Sequence, residues 1–434
     1  MASRARLAVL ASALLLAPAA CRSAPGLGAA ESGDRAGLAS AVAPHQARGD
    51  LSNAQSCALA RAVADREVRS ACGAEATARI RDAWPCAHEL DDALAARMRI
   101  HDDAGAQAVL ARLDGRGLDA DDVRRWLSDA DPAWRAVGVR GLVRTEDRAA
   151  RVFAFTDPNP LVRRAAARAA RDAADPNDLE ALAEAARVDP EPLVRTEAVR
   201  AIAVLPAQPD EGAVHVLRDL WAKADAGLRE DIALAWAGSA LWGAGGREAL
   251  LVVVASEHGP GAIEAAAAVL RHADVPADLA SSSAAQLERA IAQGAAPARM
   301  QAIAQAPLEA PGIVEALERV AGDGELELRV AALSRLAQRK ASDAAAQTAL
   351  EALAQPGSRV AERARFALAS LGDRKVQAWV EQDLTAESPS ARLSAAADLA
   401  ALGVQARAAP LLADGDAGVR VRAACTILMA ARVH

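Results

Sequence analysis

Asp157-Pro-Asn-Pro-Leu-Val-Arg163 and Asp189-Pro-Glu-Pro-Leu-Val-Arg195 are two copies of one pattern: an Asp, five residues, then an Arg with an apolar residue before it. The same phase runs outward through Arg135, Arg163, Arg195, Arg229, Arg299, Arg329, Arg363, Arg392 and Arg420, with Glu264 standing where one Arg is expected. About ten units result, at intervals of 28–35 residues. That length holds two helices and two turns but no independent core, so each unit must bury its apolar face on its neighbours. Self-similarity at this period predicts an all-α, α–α superhelix, a solenoid of two-helix repeats.

Alignment on the Arg shows the same local chemistry in most units. Four positions earlier stands a residue suited to capping a helix N-terminus: Asp131, Asn159, Asp225, Ser388 or Asp416. Pro132, Pro160, Pro192 and Pro389 follow in the first helical turn, where a missing N–H costs no intrahelical bond. The residue before the Arg is usually apolar (Trp134, Val162, Val194, Leu228, Ile263, Leu328, Val419). The residue three after it is usually tiny (Gly138, Ala166, Ala198, Ala267, Ala302, Ala332, Ala395, Ala423). These two positions share a helix face, and the small side chains permit close helix approach.

On these residues the chain resembles the HEAT-repeat family, particularly short bacterial HEAT-like repeats of the phycobilin-lyase type. The resemblance implies a ladder in which Asp and Arg side chains join successive repeats, carried here by Asp129, Arg135, Asp157, Arg163, Asp189, Arg195, Asp323, Arg329, Asp414 and Arg420. Pairing would let charged groups recur at a largely buried turn. The regular array is placed at residues 127–434, behind a divergent helical N-terminal cap at 51–126 that shields the first repeat. Glu264, the Gly-rich stretch Gly238–Gly246 and a turn at Ser281–Ser283 are read as interruptions.

Composition narrows the function classes. Apolar residues make up 52% of the 434, much of it Ala, and aromatics only 2%, so the core must come from close helix contacts. The net charge of −7 offers no field for a phosphate backbone, and a nucleic-acid partner is not expected. The run Arg163, Arg164, Arg168 and Arg171 is read as ladder and solvated face rather than as a ligand groove. The seven His residues form no His-x-x-x-His pair, so no metal and no cofactor are expected. His88-Glu89 is a single His-Glu dipeptide where HEAT-like hydroxylases carry several, and His101-Asp102-Asp103 reads as a loop.

The N-terminus reads as an address. Arg4 and Arg6 precede an apolar stretch from Leu7 to Ala17, and small residues lead to Cys21, which together predict a signal peptide at 1–20. Pro18-Ala19-Ala20-Cys21 looks like a bacterial lipobox, although Pro18 departs from its usual aliphatic residue. The resemblance implies lipid attachment at Cys21 and a membrane contact through that lipid, with cleavage to a soluble exported form as the alternative. Residues 21–50, rich in Ala, Gly, Ser and Pro, read as a flexible tether of about 30 Å reach. Export permits disulfides, and the spacing of Cys57, Cys72 and Cys86 favours one bond within that group, with Cys425 reduced. A bond between the two ends of an extended array is not expected.

These readings point to a non-enzymatic, exported, membrane-anchored scaffold that binds a protein or peptide on the concave face. Trp221, Trp236 and Trp242 are candidates for partner contact, since Trp concentrates at binding hot spots, with core filling as the plainer use. An enzyme with its site in the irregular 238–299 region and a purely structural envelope lipoprotein are the alternatives.

Overall fold

The computed structural model describes residues 24–116, 120–142, 147–206, 212–256, 259–339 and 344–433. The expected signal peptide and Cys21 lie outside them. Every regular element among the described residues is a helix. The chain divides into two compact units, one formed by Met1–Arg116 with Leu350–His434 and the other by Gly117–Ala349.

The unit at 117–349 is a stack of helix pairs. The pairs are Ala120–Leu127 with Pro132–Gly141, Arg148–Phe153 with Pro160–Ala173, Leu179–Val188 with Pro192–Ile202, and Gly212–Trp221 with Ala226–Ala237. They continue with Arg247–Ser256 and Pro260–Val269, Ala277–Gln293 and Ala296–Gln305, then Ile313–Asp323 and Leu326–Ala337. Each second helix packs on the second helix of the next pair throughout. The tiny positions explain how: Ala166, Ala198, Ala267, Ala302 and Ala332 are all fully buried at this contact. At Gly138 a Cβ would lie 2.7 Å from the Leu127 nitrogen, closer than any side chain tolerates. Asp131, Asn159 and Asp225 cap their helices by accepting the N–H of Ala133, Leu161 and Leu228 at 2.8–2.9 Å.

Two local readings change. The first repeat hairpin starts at Ala120, inside the segment assigned to the cap. Ser281–Ser283 is not a turn but lies within the helix Ala277–Gln293, because Leu279, Ser283, Leu287 and Ile291 recur on one buried face. Serine disfavours helix only mildly, and that buried stripe outweighs it. The Gly-rich stretch forms a π turn at Trp242–Gly246 that enters the helix Arg247–Ser256. Gly245 has φ +102°, and a Cβ on Gly246 would meet the Trp236 carbonyl oxygen at 2.4 Å.

The other unit joins the two ends of the chain. Residues expected to be a flexible tether form the helices Leu27–Ser32 and Arg35–Arg48. Leu38 and Val42 are buried there, and Gly33 and Gly49 end the helices in the left-handed conformation that glycine adopts without penalty. The helix Asn53–Ser70, opened by a Ser52/Gln55 capping box, packs along the last helix Ala417–Val433. Both rest on the 3-10 segment Gln405–Ala413, and so does Arg35–Arg48. The segment read as a cap for the first repeat therefore packs against the last one.

Covalent chemistry follows the same contact. The disulfide joins Cys86 to Cys425, 339 residues apart, and not two of Cys57, Cys72 and Cys86. The helix Gly73–Ala83 and the 3-10 turn Trp84–Glu89 lie against Ala417–Val433, which brings the two sulfurs together. Cys72 is an exposed thiol, and the half-buried Cys57 faces the Ile427 carbonyl. Ser388 precedes the helix Pro389–Ala401 without a side-chain capping bond.

Candidate functional site

The recurring Asp and Arg build rungs with a fixed wiring. Arg135 turns Nε and Nη2 onto both carboxylate oxygens of Asp157, at 2.9 and 3.1 Å, while Nη1 donates to the carbonyls of Asp129 and Ala130. Arg163 repeats this with Asp189 at 2.7 and 3.0 Å and with the carbonyls of Asp157 and Pro158. Arg392 donates Nη2 to Asp414 at 3.1 Å, with Nε 2.7 Å from the other carboxylate oxygen as an ion pair, and Nη1 to the carbonyls of Ala386 and Glu387. Each Arg is thus anchored to its own turn by Nη1 and reaches the next repeat with the planar Nε/Nη2 edge, which matches a carboxylate. Burial alone would raise the Asp157 carboxyl, but the Arg135 and Asn159 hydrogen bonds outweigh it and hold it below its ordinary value.

The last rung closes on the N-terminal segment. Arg420 anchors Nη1 on the carbonyls of Asp414 and Gly415, and its Nε and Nη2 meet Glu67 at 2.8 and 2.6 Å. Glu67, on the helix Asn53–Ser70, takes the place that a following repeat's Asp would fill. Arg407 and Gln46 exchange two further bonds across this contact, and Arg432 pairs with Glu89.

Other rungs differ. Arg229, Arg299 and Arg329 turn Nε to the carbonyls of Trp221, Ile291 and Ala321, eight residues earlier in each case. They cap the C-terminus of the preceding helix, where cations are favoured. Asp323 ends the helix Ile313–Asp323, and its side chain lies outside the described residues.

One rung is open. Arg195 is anchored like its neighbours, with Nη1 on the carbonyls of Asp189 and Pro190. In the rungs of Arg135, Arg163 and Arg392 the acceptor stands six residues before the next repeat Arg, and six before Arg229 the residue is Lys223. Asp225 comes no nearer to Arg195 than 3.6 Å, at Nη2, and is 62% exposed. Beside this rung a cleft of about 690 Å³ is lined by Val188, Arg195, Arg218, Lys223 and Asp225 among others.

A second row of charges crosses the repeats. Arg140 meets Asp172 at 2.6 Å and Arg200 meets Asp231 at 2.8 Å. Arg164 and Arg168 converge on the buried Glu197, with Arg171 at 3.5 Å. Burial pushes the Glu197 carboxyl up, but Arg168 and Arg164 overcome it and hold it low. The basic run at 163–171 is consumed within the stack. The spacing of Arg140, Arg168 and Arg200, five after each ladder Arg, was a legible sign of this row; Glu197 and Glu67 had none.

The tryptophans are core. Trp221, Trp236 and Trp242 are all buried, so the partner contact considered for them is not offered at the surface. Trp221 packs on Trp236 at 5.3 Å, and Trp242 stacks on His272 at 3.9 Å while donating Nε1 to Asp274. Asp102 accepts from Gly105 N–H and Arg97, which makes it a cap; Glu89 is held by Arg61 and Arg432. Among the described residues no three His, Cys, Asp or Glu side chains are grouped to hold a metal. Among them no helix is long and apolar enough to cross a membrane.

A family model of HEAT repeats matches residues 120–203 and 153–237, so this stretch carries HEAT repeats. No curated protein matches the sequence. Among solved structures, an engineered protein is similar at 19% identity over 85% of this chain and 98% of that one, with a TM-score of 0.30. A Kap121p triple mutant is similar at 12% identity over 79% of this chain and 45% of that one, with a TM-score of 0.24.

Proposed function

We propose that this protein is a non-enzymatic scaffold of the bacterial cell envelope that binds a protein or peptide on its stacked repeats. The observation that supports it is the unbroken packing of second helices from Pro132 to Ala337. Such stacking makes a wide, rigid surface of repeated faces rather than one enclosed pocket, which suits an extended macromolecular partner. Signal cleavage before Cys21 and lipid attachment there would hold the scaffold at a membrane; cleavage without the lipid would leave it soluble outside the cytoplasm.

Crosslinking in intact cells, followed by identification of captured proteins, tests the binding role. A reproducible protein partner is the expected result, and a chain that captures none while turning over a small molecule would replace the scaffold with an enzyme. For location, Cys21→Ser should move the protein from the membrane to the soluble exported fraction. Unchanged membrane attachment of that variant would sink the lipid anchor.

A further inference from the structure

We infer that the open rung at Arg195 is a carboxylate-binding fork, and that it takes an aspartate or glutamate side chain of an extended acidic peptide with apolar residues beside it. This rests on the scaffold reading and names the chemistry of its partner. Arg135, Arg163 and Arg392 each present the Nε/Nη2 edge to a carboxylate of the next repeat. Arg195 is held in the same way by Nη1 at 2.9 Å from the Asp189 carbonyl, yet the acceptor position of its rung is Lys223. The fork is therefore pre-organised, and the residue that should satisfy it is a second cation.

The surrounding charges point the same way. Of the groups lining the cleft, Asp189 is taken by Arg163 and Arg187 pairs with Glu184. Among the described lining residues Arg195, Arg218 and Lys223 remain beside Asp219 and Asp225, with Arg218 also drawn to Glu248. Asp225 is the weak competitor: its closest approach to Arg195 is 3.6 Å, and it spends its Oδ1 on the Leu228 N–H as a helix cap. Val188 lines the cleft and is 59% exposed, and the nearby Leu193 is 51% exposed. A planar bidentate edge selects a carboxylate, the flanking cations speed its approach, and the exposed apolar side chains favour an apolar neighbour on the ligand.

The test titrates the full chain with a fluorescein-labelled peptide of alternating glutamate and leucine, about ten residues long, and with its glutamine counterpart. The glutamate peptide should bind about tenfold or more tightly than the glutamine one, and more weakly as salt rises. Lys223→Asp installs the missing ladder acceptor; it should raise thermal stability and abolish peptide binding together. Asp225→Asn keeps the helix cap and removes the competitor, so it should tighten binding several-fold. Equal binding of the two peptides, or Lys223→Asp binding like the parent chain, overturns the inference. Displacement of the peptide by inorganic phosphate at matching concentration overturns the assignment to a peptide carboxylate. A partner captured in cells equally by the parent and Lys223→Asp chains removes this site and leaves the scaffold standing; loss of all capture by the parent removes the scaffold.

Discussion

Arg163→Ala and Arg195→Ala should differ sharply, although the two residues occupy the same place in consecutive repeats. Arg163 and Asp189 expose only 11% and 6% of their side chains and are joined by two bonds of 2.7 and 3.0 Å. Truncating Arg163 leaves Asp189 in a buried turn with the Glu191 N–H as its remaining donor in the rung. Breaking a buried pair in this way costs about 3–5 kcal/mol, mostly as the penalty of an uncompensated charge. Arg195 loses only a 3.6 Å contact to an exposed Asp225, a pair worth about 0–1 kcal/mol. Its Nη1 bonds to two carbonyls add about 1 kcal/mol. Denaturant unfolding with Ala variants of both partners, singly and together, isolates each pair. A coupling of about 2 kcal/mol or more for Arg163 with Asp189, and under about 0.5 for Arg195 with Asp225, is expected. Equal costs for the two arginines, or no coupling in the closed rung, would refute the wiring described here.

Asp398 is buried, and burial first, then Glu362 and Asp383, raise its carboxyl to about 7 against the opposing pull of Arg365. Its folded pKa exceeds the ordinary 3.8, so its ionisation costs stability: not at all below that value, increasingly as pH rises, and fully above about 7. Asp398→Asn should therefore stabilise the protein by up to about 4 kcal/mol at pH 8 and by little at pH 4.5, read from unfolding curves at both. Gly246→Ala meets two backbone carbonyls and should cost about 2–4 kcal/mol, whereas Gly243→Ala, with open space around it, should be near neutral in the same melts. Cys86→Ser opens a link between residues 339 apart and should cost up to about 5 kcal/mol in denaturant without reductant, with Cys72→Ser close to the parent.

The repeat stack was legible because cap, proline, apolar and tiny positions all agree in one phase around each Arg. Where they stop agreeing, local rules misled. Three serines at 281–283 read locally as a turn, although Leu279, Leu287 and Ile291 bury one helical face around them. Small residues at 21–50 counted as flexible, although Gly33 and Gly49 end helices there and Leu38 and Val42 are core. The closure of the last rung has no sequence mark: Glu67 lies in no repeat and meets Arg420 from 353 residues away. The open rung had one, since Lys223 stands where the spacing calls for Asp, but that position matters only once the Arg is seen to reach into the following repeat.

The N-terminal helices serve as the repeat that follows the last one. Tryptic mapping of the native, unreduced protein tests it directly. Cleavage after Arg81, Arg97, Arg422 and Arg432 isolates one peptide with Cys86 and one with Cys425. These two should be recovered as one disulfide-linked species that separates on reduction. Cys86 recovered as a free thiol, or linked to Cys57 or Cys72, would contradict it.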